Sequence, residues 1–207
     1  MRHESRTDAP PWPAAVETAD DAAVIARSRH EPEHFTTLFT RHAPALKRYV
    51  IRRLGPDPAE DIVAETFARA FQHRETYDLA RDDARPWLYG IATNLIGRHR
   101  RHEISQYRAL SRTGADSVTE SFTDEVDQRV AADGARRRLA GALAGLPRGH
   151  RDALLLVTWA ELTYEQAAHA LGVPVGTVRS RVNRARSKLR RVLGGIDPTD
   201  ADEGMNR

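Results

Sequence analysis

The stretch LTYEQAAHALGVPVGTVRSRVNRARSKLRRVL, residues 162–193, decides the fold. It reads as two helices joined by a tight turn. Thr163 can cap the first helix through its hydroxyl, and Gln166 can reach back to complete a capping box, a device that stabilises a helix start by about 1 kcal/mol. Leu162 and Ala167 are placed for a hydrophobic staple around that cap. Ala167, Ala168 and Leu171 form a small apolar face. Gly172 suits the left-handed residue that stops a helix, and Pro174 suits the first turn of the next one. In the second helix Val178, Val182, Ala185 and Leu189 recur as one buried stripe. The remaining surface is basic: Arg179, Arg181, Arg184, Arg186, Lys188, Arg190 and Arg191. Small residues in the first helix, a short glycine turn and a basic second helix are the grammar of a DNA-reading helix-turn-helix. A basic helix taken alone is also what a solvated bundle surface presents.

Composition narrows the setting. The 207 residues carry a net charge of +3, which allows one domain or two small ones. The bases cluster near 98–101 and 179–191, and the acids near 116–127. Clustered bases are what a polyanion needs, because phosphate contacts supply much of the affinity. There are no cysteines, which excludes disulfides, thiol redox chemistry and cysteine–zinc sites. The N-terminus has no apolar core after its charges and no later run is long enough to span a bilayer, so a cytoplasmic protein without membrane insertion is expected. Nine histidines form no HExxH-like pair, and there is no phosphate loop or nucleophile elbow. No catalytic residue, metal ligand, cofactor or small-molecule substrate is expected.

Working outward from the helix-turn-helix, the pattern predicts an all-α fold. Residues 1–32, with Pro10, Pro11 and Pro13, read as a disordered tail. A domain over 33–103 follows. Its first helix carries Phe35, Leu38, Phe39, Leu46, Tyr49 and Val50, and Pro44 predicts either a kink or two abutting helices. Asp57-Pro58-Ala59-Glu60 reads as a cap with proline at the first helical position. The next helix buries Ile62, Val63, Thr66, Phe67, Ala70 and Phe71, and keeps Asp61, Glu65 and Arg69 toward solvent. Residues 73–85 read as a polar loop. Pro86 opens a helix with Trp87, Leu88, Ile91, Ala92, Leu95 and Ile96 on its apolar stripe, ending in Arg98, Arg100 and Arg101. Trp87 and Tyr89 beside these arginines form a combination that grips a single strand by stacking and charge. Residues 104–129 read as a flexible acidic linker. Residues 130–194 then form a four-helix domain ending in the helix-turn-helix, and 195–207 form a second disordered tail.

Two separated stretches resemble bacterial RNA polymerase sigma factors of the extracytoplasmic-function (ECF) group. AEDIVAETFARAF (59–71) with RPWLYGIATNLIGRHRR (85–101) is similar to sigma region two, and residues 146–191 are similar to sigma region four. The resemblance implies core RNA polymerase and promoter DNA as partners, with an anti-sigma factor as a further partner of many relatives. It implies that Asp61, Glu65 and Phe67 belong to the helix that docks on polymerase. It implies that loop 73–85 captures a flipped −10 base, and that Trp87, Asn94, Arg98, Arg100 and Arg101 melt and hold the −10 element. Thr177, Arg179, Arg181, Arg184 and Arg186 match the helix that reads the −35 element. The chain departs from the family pattern at Ala64, Gly97, Pro174 and Val175, so promoter preference does not transfer. A stand-alone helix-turn-helix regulator is the competing reading, and it gives Asp61 and Glu65 no role.

Overall fold

The computed structural model describes residues 20–112, 134 and 137–193. Regular structure among these residues is helical. The elements are α1 (Asp21–Ser28), α2 (Thr36–Leu54), α3 (Ala59–Gln72), α4 (Arg85–Arg98), α5 (Arg100–Arg112), α6 (residues 137–144), α7 (Arg148–Thr158), α8 (Tyr164–Leu171) and α9 (Val175–Leu193). Short 3₁₀ turns occupy Pro32–Phe35 and Arg74–Thr76.

The helix-turn-helix follows its sequence grammar. Thr163 accepts from the Gln166 N–H at 3.1 Å, and the Gln166 side chain accepts from the Thr163 N–H at 2.9 Å. Leu162 and Ala167 are both buried. Gly172 sits at φ 62°, the left-handed geometry that a side chain would strain. Val178, Val182, Ala185 and Leu189 face inward along α9, which packs on α7 and α8.

In the first half α2, α3 and α4 pack on one another around Leu38, Leu46, Val50, Ile62, Val63, Leu88 and Ile96. Helix α2 runs through Pro44 as one helix, so the two-helix alternative is not adopted. The start of α3 also differs from expectation. Pro58 is the boundary residue and no side chain caps it, so Asp57 is not the cap.

Three larger differences bear on function. Residues 20–32 were expected to lie in a disordered tail, yet α1 is capped by Asp20, whose Oδ1 accepts from the Ala23 N–H at 2.6 Å. Val24 and Ile25 are buried against the first half; two apolar side chains one residue apart suffice to dock a short helix, and the flanking prolines masked that signal. The remainder of the expected tail, residues 1–19, lies outside the described residues. The expected linker is helical over its first part, since α5 continues to Arg112 and buries Glu103 and Tyr107. Residues 113–133 and the tail 195–207 lie outside the described residues.

The third difference is that the halves touch. Helix α4 packs on α8 as well as on α2, α3 and α5. Gly90 makes this possible: a Cβ there would stand 2.6 Å from the Ala170 carbonyl oxygen. The Arg85 guanidinium donates to the Ala160 carbonyl at 2.5 Å, and Gln166 Nε2 donates to Asp83 Oδ2 at 2.9 Å. The small residues of α8 therefore serve two close approaches, one to α9 and one to α4.

Candidate functional site

Side chains singled out from the sequence fall on three surfaces. The first is α9. Arg179 and Arg184 are exposed, while Thr177, Arg181 and Arg186 are half-buried. Arg181 lies over the backbone of Gly149, within 3.2 Å of where a Cβ would be. Lys188 is partly occupied, donating to the Gly145 carbonyl at 2.6 Å. Arg179 approaches Glu165 of α8 at 3.8 Å, a loose exposed pair of small energetic weight. His150 lines a groove with Asn183, Arg184, Ser187, Lys188 and Arg191. Burial and the neighbouring Arg184, Arg181 and Lys188 cations push its pKa below the usual imidazole value. The outward face of this helix is a cationic surface held rigid by the apolar stripe beneath it.

The second surface is α4 with the loop before it. Asn94, Arg98 and Arg101 are exposed. The Arg100 side chain lies outside the described residues. Trp87 is half-buried and packs on Tyr77, with ring centroids 4.9 Å apart. Tyr89, expected to share strand stacking with Trp87, is turned into the core instead. It is buried and meets the Tyr49 ring edge-on at 5.1 Å. The loop over 73–85 is ordered by specific bonds. Tyr77 is buried, and its hydroxyl donates toward the Arg81 and Asp83 carbonyls at 2.7 and 3.2 Å.

The third surface is α3. Asp61 and Glu65 are exposed, and Glu65 pairs with Arg69 at 2.6 Å across one turn. Phe67 lies on the buried face of α3, as its spacing predicts. Only 5 % of it is accessible, because it points inward and meets Phe39 edge-on at 4.9 Å. Phe39 of α2, 46 % accessible, is an exposed aromatic packed against it.

Sequence reasoning missed a buried ionic cluster between the halves. Arg53 of α2 donates to Glu103 of α5 at 2.8 and 2.5 Å, and to Asp152 of α7 at 2.7 Å. Arg151 donates to the other Glu103 oxygen at 2.7 Å and to the Leu143 and Leu146 carbonyls. The two arginines and two carboxylates balance in charge, as buried ions must. Tyr49, its pKa raised by burial, accepts from Arg53 at 2.9 Å. The only sequence signal was Arg151-Asp152 standing before the apolar run Ala153–Val157; nothing local indicates Arg53 or Glu103 as partners.

Residues 38–104 match the family model for sigma-70 region 2, and residues 136–189 match that for sigma-70 region 4. The ECF RNA polymerase sigma factor SigL of Mycobacterium tuberculosis is 34 % identical over 179 residues, covering 86 % of this chain and 99 % of SigL. The chain belongs to the ECF sigma factors. Similar proteins include ECF sigma factor EcfG of Rhodopseudomonas palustris, 35 % identical over 72 % of this sigma factor and 80 % of EcfG. Among solved structures, CnrH in complex with the cytosolic domain of CnrY shares the fold, with a TM-score of 0.58 and 23 % identity over 84 % of this chain and 97 % of that one. The sigma factor RpoE of Bartonella quintana, in complex with the anti-sigma factor NepR, gives a TM-score of 0.52 at 25 % identity over 77 % and 96 %. The sigma factor reading therefore prevails over the stand-alone regulator: this chain directs RNA polymerase to promoters in transcription initiation. No helix among the described residues is long and apolar enough to cross a membrane.

Proposed function

We propose that this sigma factor works by dividing promoter recognition between its halves, and that core RNA polymerase draws those halves apart. Helix α9 lies in the major groove of the −35 element, where Thr177, Arg179, Arg181, Arg184 and Arg186 read bases and phosphates. A well-placed arginine distinguishes bases by about 1–3 kcal/mol. Trp87, Asn94, Arg98, Arg100 and Arg101 hold the opened −10 strand by stacking and charge. These contacts offset an unstacking cost of a few kcal/mol. Asp61 and Glu65 on α3 dock on polymerase, with Phe67 supporting that helix from its buried side. An anti-sigma factor is a further partner, and the site of action is cytoplasmic.

The observation that carries this reading is the cover on α4. A strand laid along α4 would meet α8 on one side, whereas α9 keeps its cations outward. A chain closed in this way suits a subunit that acts only after a large partner has bound it. Two weak sites then gain strength from being held at the right separation.

In-vitro transcription with core polymerase tests the reading. Glu65→Arg reverses the charge on the docking face and is expected to reduce promoter-directed transcription by tenfold or more, with duplex binding by α9 unchanged. A stand-alone regulator predicts full activity for that variant, and tight sequence-specific binding by the free chain that core polymerase does not improve.

A further inference from the structure

Helix α1 lies before both family matches, and none of its residues has been given a role above. Its polar contacts go to the loop between α3 and α4 and, through Asp21, to Arg41 and His42 of α2. At one end the Arg29 guanidinium donates to the Arg74 carbonyl at 3.2 Å and to the Tyr77 carbonyl at 3.0 Å. Arg74 answers by donating to the Ser28 carbonyl at 3.1 Å, and its guanidinium lies 4.0 Å above the Phe71 ring. At the other end the Asp21 N–H donates to the Asp82 carbonyl at 3.0 Å. The Asp21 carboxylate, itself buried, accepts from the Ala84 N–H at 2.9 Å and from Arg41 at 2.5 Å, and pairs with His42 at 2.8 Å. Between these two anchors, residues 78–82 are exposed, with Leu79 at the surface as a large apolar side chain.

We infer that α1 is a positioning element for −10 recognition: Arg29 and Asp21 pin the two ends of the 73–85 loop, so that its exposed tip is presented to the opened strand already shaped. This rests on the proposed role of that loop in taking a −10 base. The physical argument is preorganisation. A polar loop with little regular structure must be ordered when it binds, and that ordering weakens binding unless the fold has already supplied it. Arginine suits the first anchor because its planar guanidinium fixes the direction of its donors, Nε and Nη2 on the Arg74 carbonyl and Nη2 on the Tyr77 carbonyl, whereas lysine offers one ammonium on a flexible stem. A buried carboxylate suits the second because it gathers one backbone N–H and two side chains on two oxygens.

The test uses the full chain in holoenzyme with core polymerase. The probe is a fork-junction DNA whose −10 region is single-stranded, taken from a promoter that the unaltered holoenzyme transcribes. Leu79→Ala alters the loop tip, and Arg29→Ala removes an anchor that touches no DNA. Both are expected to weaken fork binding, Arg29→Ala by about three- to tenfold, with affinity for core polymerase unchanged. Arg29→Lys, which keeps the charge and disturbs the fold least, is expected to fall between. The double variant is expected to bind no worse than the weaker single variant, because both act through one loop. If Leu79→Ala weakens binding and Arg29→Ala does not, or if their effects simply multiply, the positioning role is wrong while the loop's role stands. If Leu79→Ala leaves fork binding intact, the loop does not take the strand and the inference falls with it.

Discussion

The two halves differ in how far their candidate nucleic-acid helices are covered, although Asn94, Arg98 and Arg101 are as exposed as Arg179 and Arg184. Helix α9 is amphipathic: one stripe is buried, and arginines dominate the rest among Ser180, Asn183, Ser187 and Lys188. Helix α4 buries Pro86, Leu88, Tyr89, Gly90, Ala92, Thr93, Leu95 and Ile96, almost its whole circumference, because α8 closes the side that its own half leaves open. A helix apolar on most sides requires a partner on most sides. In the proposed division of labour the −35 surface of α9 stands open in the closed chain, while the −10 side chains Asn94 and Arg98 are exposed on a helix that α8 covers on one side.

The largest effect should come from the ionic cluster that joins the halves. Glu103→Ala leaves Arg53 and Arg151 buried without their shared carboxylate. Removing one partner of a buried ion set typically costs about 3–5 kcal/mol, and chemical denaturation should show a loss of that size. A loss under about 1 kcal/mol would mean that the cluster does not hold the closed chain together. Next comes the α4–α8 seam. Gly90→Ala places a methyl against the Ala170 carbonyl, and overpacking of this kind costs about 1–3 kcal/mol, partly offset by alanine's better helix propensity. The free chain should loosen while transcription by the holoenzyme is retained, because the proposed function has the seam open there. Equal damage to both would show that the seam persists on polymerase.

On the exposed side, Arg184→Ala should flatten the salt dependence of promoter binding by about one unit if the side chain contacts a phosphate. It should relax sequence preference instead if it reads a base. An unchanged promoter profile with an unchanged salt slope would remove Arg184 from the interface. The smallest effects are in pH, and they also separate the halves. His150 has a depressed pKa, so its neutral form is favoured by folding, and the α7–α9 packing should lose stability as pH falls below about 6.5. Burial raises the Asp21 carboxyl, but His42, the Ala84 N–H and Arg41 together hold it below the usual range. Its contribution is present above about pH 4 and is lost on further acidification. Amide exchange read helix by helix should therefore loosen α9 at a higher pH than α1.

How much of this was legible in the sequence depended on distance along the chain. The capping box at Thr163, the stop at Gly172 and the buried stripe of α9 are local, and periodicity with cap chemistry revealed them. The core faces of α3 and α4 followed for the same reason. Tyr89 was harder, because an aromatic on a helix has the same signature whether it faces solvent or core. Arg53, Glu103, Arg151 and Asp152 meet across 48 to 99 positions of chain. Charges at that separation give no periodic signal, and each alone reads as surface. The α4–α8 contact was hidden in the alanines of α8, which sequence reasoning had assigned to one neighbour and the fold gives to two.

The chain has no cysteine, so a pair introduced at Gln72, at the end of α3, and His169, on α8, can carry two probes at exposed positions on opposite halves. Their separation, measured in the free chain and then in a holoenzyme that has opened a promoter, addresses the division of labour directly. A single distance in the free chain and a clearly longer one on polymerase are expected. A transcriptionally competent complex in which the two probes keep their free-chain distance would contradict it.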